Sequence, residues 1–225
     1  MQLSLIVPLL NEAAHIAATL APLQAMRARG VEVIVVDGGS LDASKHIAAP
    51  QVDRIIDSEK GRAKQMNAGA AIARGDVLLF LHADSQLPDN ADQLIAEALS
   101  VTRFVWGRFN VGITGTHMML PVVAWFMNHR SCLTSIATGD QGIFVTRAAF
   151  ELIGGFPDQP LMEDIELSAR LKAISSPVCL RAKITTSGRR WEKHGVWKTV
   201  VQMWWLRLRY AMGASAGEIH RAYYK

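Results

Sequence analysis

An open, mostly parallel α/β sheet flanked by helices, with a C-terminal helical appendage, is the architecture this sequence predicts. Three observations point to it. Short, continuous β-branched runs alternate with segments of helical period through the first hundred residues, the pattern of strands buried on both faces. The 225 residues are 50% apolar and 20% charged, with a mean hydropathy of +0.14, which allows one large core and excludes wholesale disorder. Polar and acidic residues follow several of the apolar runs, where sheets of this kind collect their ligands.

In chain order, Leu3 to Val7 reads as a first strand ended by Pro8. Glu12 to Arg29 reads as a helix through Ile16, Leu20 and Leu23, closed by Gly30. VEVIVVD is a second buried strand, so a right-handed βαβ crossover is expected. Val52 to Ile56 gives a short strand, Ala63 to Arg74 a helix, VLLFLHAD from Val77 a strand, and Asn90 to Leu99 a helix. Beyond residue 102 the pattern changes. FVWGRFNVGI alternates like an antiparallel strand, whereas Thr114 to Ala137 is apolar, Met-rich and matches neither period. Ile143 to Thr146 reads as a strand, Arg147 to Ile153 as a helical turn and Glu163 to Ala173 as an amphipathic helix. Trp197 to Met212 carries an apolar helical stripe at 197, 200, 201, 204, 208 and 211. We divide the chain into a body, 1–194, and a basic, Trp-rich appendage, 195–225.

Charge is uneven. Residues 179–225 hold 10 Lys/Arg against 2 Asp/Glu, while residues 1–178 hold 14 against 18, so an acidic body carries a basic tail. Four of the six tryptophans lie in that tail. The longest apolar run, Met118 to Met127, has ten residues and contains Pro121, half of what a spanning helix needs. The N-terminus lacks a basic leader region and a small-residue cleavage site, so no signal peptide is expected. Cys132 and Cys179 form no CxxC pair, which argues against a zinc ribbon or a disulfide framework and fits a reducing compartment. There is no G-x-G-x-x-G after the first strand, no Walker A loop, no HExxH and no G-x-S-x-G elbow.

Chemistry is expected at the strand ends. Asn11 and Glu12 follow the first strand, Asp37 the second, and His82 and Asp84 a later one. Any one of them can be a turn or cap residue, and Asp37 before two glycines and Ser40 is ordinary loop chemistry. Together they bring acidic groups to one edge, where oxygen ligands suit Mg²⁺ or Mn²⁺. In GRAKQMNAGA, Arg62 and Lys64 stand at a helix start, a poor match to the macrodipole; either an anion binds there or the charges are solvated on a surface helix whose small-residue Ala/Gly face packs closely. Glu163 and Asp164 open a helix after a Gly/Pro loop, where they either complement the dipole or supply a general base.

Taken in order, IVPLLNE, VVDGGSLD, GRAKQMNAGA, GDVLLFLHADS, GDQGIF, GGFPDQPLMEDIELSARL and SGRRWEKHG resemble the family 2 glycosyltransferases of GT-A (Rossmann-like) fold, in the small bacterial single-domain type. The resemblance covers residues 2 to about 195. It implies an inverting transfer from a nucleotide-diphosphate sugar, UDP-sugar favoured, to an acceptor hydroxyl. Pro8, Asn11 and Glu12 would line the nucleoside pocket, Asp37 would contact the base and Arg62 the nucleotide or its diphosphate. His82 and Asp84 occupy the Asp-x-Asp position, with Asp84 as ligand of Mn²⁺ or Mg²⁺ and His82 a departure from the usual first Asp. Asp140 and Gln141 would meet sugar or acceptor hydroxyls. Asp164 matches the catalytic base, with Glu163 beside it, and Arg190 and Trp191 match the Arg-Trp end of a motif of processive members. Ser187 replaces that motif's leading Gln, so processive synthesis is not implied.

The tail is expected either to dock on the body through Trp197, Val200, Trp204 and Leu208 or to lie on an anionic membrane with Lys198, Arg207 and Arg209 toward lipid. The second arrangement suits a lipid or membrane-associated acceptor and a cytoplasmic enzyme peripheral on the inner face of the cell membrane. Nucleic acid is not an expected partner. A nucleotidyltransferase would carry a Gly-rich, basic loop where PLLNE stands, and a non-catalytic binding protein would need no Glu-Asp pair.

Overall fold

The computed structural model describes residues 1–101 and 103–223, with the backbone alone at Arg190 and His194. Strand β1 (Leu3–Leu9) is buried along its whole length. Leu5, Val7 and Leu9 point into one core and Ile6 into the other, so the sheet is covered on both faces. Strand β2 (Glu32–Asp37) pairs parallel to β1, β3 (Arg54–Asp57) pairs parallel to β2, and β4 (Val77–Phe80) pairs parallel to the other side of β1. This half of the sheet is the one the alternating runs predict.

The helix expected over 12–29 is two helices, α1 (Ile16–Leu20) and α2 (Leu23–Ala28). Pro22 stands between them, and its ring and missing N–H interrupt the ladder. After α3 (Ser44–Ala48), helix α4 (Arg62–Ile72) lies close against β1 and β2. A Cβ on Gly69 would meet Ile6 Cγ2 at 2.5 Å, which explains the small-residue face in GRAKQMNAGA. Buried Gln65 donates from Nε2 to the carbonyls of Leu9 and Val36, both at 2.8 Å, and so ties the ends of β1 and β2 together beside the site.

The second half of the sheet is mixed. A two-residue strand β5 (Ser85–Gln86) precedes α5 (Ala91–Leu99). Strand β6 (Trp106–Thr114) runs antiparallel to β7 (Phe144–Thr146), as its alternation predicts, but parallel to β8 (Val178–Ser187). The full order is β3-β2-β1-β4-β7-β6-β8-β5. Between these strands lie α6 (Leu120–Thr134), α7 (Arg147–Leu152) and α8 (Glu163–Lys172). The chain ends in α9 (Arg189–His194), α10 (Val196–Ala211) and α11 (Ala216–Tyr223).

The segment that matched neither period is thus α6, with Pro121 in its first turn, where a missing N–H costs nothing. It packs on α10 through Leu120, Val123 and Val196. Cys132 and Cys179, 47 positions apart in the sequence, come together. Both are free, and burial, with the hydrogen bond to Cys132, pushes the Cys179 thiol up to about 11. Among the described residues no helix is long and apolar enough to cross a membrane.

Candidate active site

The carboxyl ends of β1 and β4 and the starts of α4 and α8 open on one cavity of about 760 Å³, a size that suits a nucleotide with a sugar attached. Pro8 and Glu12 line it from the end of β1, Arg62 from the start of α4, and His82 and Asp84 from the loop after β4. Asp140, Glu163, Asp164 and Trp191 complete the predicted residues found there. The order of strands brings together carboxylates as far apart in the chain as Glu12 and Asp164.

Asp164 sits in the first turn of α8, entered through Met162 in the left-handed conformation (φ 67°). Its Oδ2 accepts the Gly139 N–H at 2.9 Å and its Oδ1 the Ile165 N–H at 2.8 Å. These two donors favour the ionised form, but burial and the neighbouring Glu163 and Asp140 carboxylates outweigh them, and the Asp164 carboxyl is pushed up to about 6. Glu163 itself is 5% exposed.

Asp140 lies on a 3₁₀ turn, Gly139–Gln141, which is closed by a reciprocal pairing of Thr138 and Gln141. Its Oδ1 is 3.4 Å from His82 Nδ1. Burial raises its proton affinity, yet the His82 contact and the Arg62 guanidinium prevail and hold this carboxyl below the usual carboxylate range. His82 also packs so close to Gly139 that a Cβ there would collide with the imidazole. The histidine at the first position of the strand-end motif thus fixes the turn carrying Asp140 and Gly139, and through Gly139 the position of Asp164.

Three predicted residues stand off the cavity lining. Asn11, at φ 53°, accepts the Leu41 N–H at its Oδ1 and donates its own backbone N–H to Ser40 Oγ, so it organises the β1 and β2 loops. Asp37 is 3% exposed and its oxygens accept Gly39 N–H, Ser40 N–H and Ser40 Oγ, the loop chemistry its sequence context predicts. Gln141 is fully buried, donating to Ser131 Oγ at 2.9 Å and Asn128 Oδ1 at 3.3 Å. The side chain of Arg190 lies outside the described residues.

Sequence reading missed two cations. Arg189 places Nη2 3.7 Å from Glu12 and 3.9 Å from Asp84, joining two of the predicted carboxylates, and also contacts His15. Nothing in SGRRW distinguishes it from its neighbour. Arg130 comes from α6, the segment without a readable period. Burial lowers its proton affinity, with Asp164 and Asp140 drawing it back up, and its buried Nη2 has no hydrogen-bond partner among the described residues. Arg207, expected toward lipid, lines the cavity with Thr199 and Met203 on the inner side of α10, and α11 adds His220 and Tyr223.

Residues 4–148 match the family model described as Glycosyl transferase family 2. A PGL/p-HBAD biosynthesis glycosyltransferase of Mycobacterium bovis is 40% identical over 91 residues, 37% of this chain and 36% of that protein, so the match spans about a third of that relative's length. The β-monoglucosyldiacylglycerol synthase of Nostoc sp. is 23% identical over 215 residues, 81% of this chain and 46% of that protein. Among solved structures, glucosyl-3-phosphoglycerate synthase from Mycobacterium tuberculosis, in complex with Mn²⁺, UDP and glucosyl-3-phosphoglycerate, superposes with a TM-score of 0.61 at 18% identity, over 82% of this chain and 70% of that one. That likeness establishes the GT-A fold.

Proposed function

The chain belongs to glycosyl transferase family 2, and from that premise we propose that it transfers a sugar, with inversion, from a nucleotide-diphosphate sugar to an acceptor hydroxyl, with Asp164 as general base. One observation carries the reading: a carboxylate fixed on two backbone N–H groups, with a proton affinity raised to about 6, faces the cavity that also holds Asp84 and Arg62. An ordinary aspartate near 3.9 is a feeble base, and a value near 6 is about a hundredfold better matched to taking a proton at neutral pH. Proton transfer to Asp164 accompanies attack of the acceptor oxygen on the anomeric carbon, on the face opposite the departing diphosphate. Glu163 and Asp140 assist by keeping Asp164 basic, and Arg62 offsets the charge that grows on the leaving group.

A divalent ion fits the donor chemistry of the site. Asp84 has a side chain 33% exposed and opens into the cavity, with Arg189 at 3.9 Å. Among the described residues no group of three or more His, Cys, Asp and Glu side chains is placed to hold an ion. The Asp84 carboxylate suits Mg²⁺ or Mn²⁺, which bind through one or two carboxylates and take their other ligands from substrate phosphates and water. When bound, the ion supplies Lewis-acid stabilisation of the diphosphate. Pro8 and Glu12 would line the nucleoside end and Trp191 the far side. Asn11, Asp37 and Gln141 support the walls from behind.

UDP is the favoured donor nucleotide, supported by the UDP carried by the superposing synthase. A lipid-borne hydroxyl is the favoured acceptor, supported by the name of the Nostoc relative. A thermal-shift screen of UDP-, GDP- and dTDP-sugars with and without Mn²⁺ tests the donor. A true donor at a hundredfold excess over its Kd stabilises the fold by about 2.7 kcal/mol. Absence of any nucleotide-sugar response, with or without the ion, would sink the reading.

A further inference from the structure

Helix α10 is apolar on two sides, burying Val196 and Leu206 while displaying a second apolar stripe. Its inner side carries Thr199, Met203 and Arg207 toward the cavity, while Trp197, Val201, Trp204, Trp205, Leu208 and Met212 stand in solvent, each 49–70% exposed. Their spacing, i, i+4, i+7, i+8, i+11 and i+15, makes a single stripe four turns long. The same spacing recurs on α6. Met118, Val122, Trp125, Phe126 and Leu133 are 40–85% exposed and occupy the same offsets, with His129 at i+11. The two helices touch through Leu120, Val123 and Val196, so the stripes belong to neighbouring elements. Two adjacent helices that each display an apolar stripe to solvent, beyond the residues they bury, mark a contact surface.

Charge identifies the occupant. Residues 193–217 and 114–134 contain no Asp or Glu; of their cations, Arg207 lines the cavity and Arg130 is buried toward Asp164 and Asp140, which leaves Lys193, Lys198 and Arg209. Arg209 lies over the Trp205 ring at 4.8 Å, which holds a cation at the stripe's edge. A second copy of this chain would have to bring those cations against one another across a two-fold axis. An anionic bilayer meets both needs, accepting Trp and Phe at headgroup depth and Lys198 and Arg209 at its charged surface. We infer that α6 and α10 together form an interfacial platform that seats the protein on an anionic membrane surface, with the cavity side of α10 facing the donor site. The inference deepens the lipid-acceptor part of the proposed function by placing a membrane against the helix that roofs the cavity.

Co-sedimentation of the full chain with sucrose-loaded vesicles tests this without any donor or turnover, so a negative result leaves the transferase reading intact. The full chain is expected to pellet with phosphatidylglycerol-containing vesicles and far less with phosphatidylcholine alone. The pairs Trp204→Ser/Trp205→Ser and Trp125→Ser/Phe126→Ser should each lower partitioning at least about tenfold, because both remove interfacial apolar area. Lys198→Glu should lower it by about fivefold or more, the equivalent of about 1 kcal/mol for a cation near an anionic surface. All these side chains are exposed, and unchanged thermal melts of the variants would show that the fold is intact. Failure to bind either vesicle overturns the inference. So does binding that ignores the aromatic variants, or a concentration-dependent dimer abolished by them without vesicle binding.

Discussion

Replacing Asp164 by Asn should abolish sugar transfer and, at neutral pH, stabilise the protein. The carboxyl rises from about 3.9 in the unfolded chain to about 6 in the folded one. Below about pH 4 it is protonated in both states. Between about 4 and 6 the unfolded chain releases a proton that the folded chain keeps, so stability falls as pH rises. Above 6 both forms are ionised and the native state carries the whole penalty, about 3 kcal/mol at about 1.4 kcal/mol for each tenfold in proton affinity. A neutral amide escapes that penalty but gives up the charge-assisted part of the hydrogen bonds from Gly139 and Ile165, about 1 kcal/mol. The net gain is about 2 kcal/mol, or a rise in Tm of roughly 4–8 °C for a chain of this size. Melting curves of the two proteins at pH 4.5 and pH 8 measure it. The gain should be present at pH 8 and largely gone at pH 4.5. An equal difference at both pH values, or a variant destabilised at pH 8, would refute the argument that burial and the neighbouring carboxylates strain this group.

Other outcomes follow from the same geometry. Asp84→Asn should remove the Mn²⁺-dependent part of nucleotide-sugar binding, measured by calorimetry with and without EDTA, while leaving the metal-free part near its original level. Arg130→Gln takes a buried cation away from Asp164 and Asp140, so the acid limb of the pH-rate profile should move upward from about 6; an unmoved limb would show that Arg130 does not act on the base. Gly69→Ala forces a methyl against Ile6 and should cost about 1–3 kcal/mol, read as a lower urea midpoint.

The parallel half of the fold was legible because strands buried on both faces must be continuously apolar, and IVPLL, VIVV and VLLF are. Strand β8 escaped because VCLRAKITTS is buried only in part and mixes charges into its run. Helix α6 escaped for the opposite reason: apolar residues on both its buried and exposed sides erase the period. The Pro22 break was visible in the sequence, and the apolar spacing on either side outweighed it. At the site, residues at strand ends were readable because topology alone brings them to one edge. Asn11, Asp37 and Gln141 show the limit: their hydrogen bonds hold loops and core, a part that their residue types, equally suited to a ligand, do not reveal. Arg189 was hidden by its twin, and the cavity-lining side of α10 was masked by the stronger apolar signal of its outer side.

The most direct test of the central claim uses water as the acceptor, because the natural acceptor need not be known. Proton NMR follows the sugar released when the protein hydrolyses an α-linked UDP-sugar in the presence of Mn²⁺. The account predicts that the β anomer appears first and that Asp164→Asn releases none. An α anomer appearing first, or release by the Asn variant at the rate of the unaltered protein, would contradict inversion with Asp164 as the base.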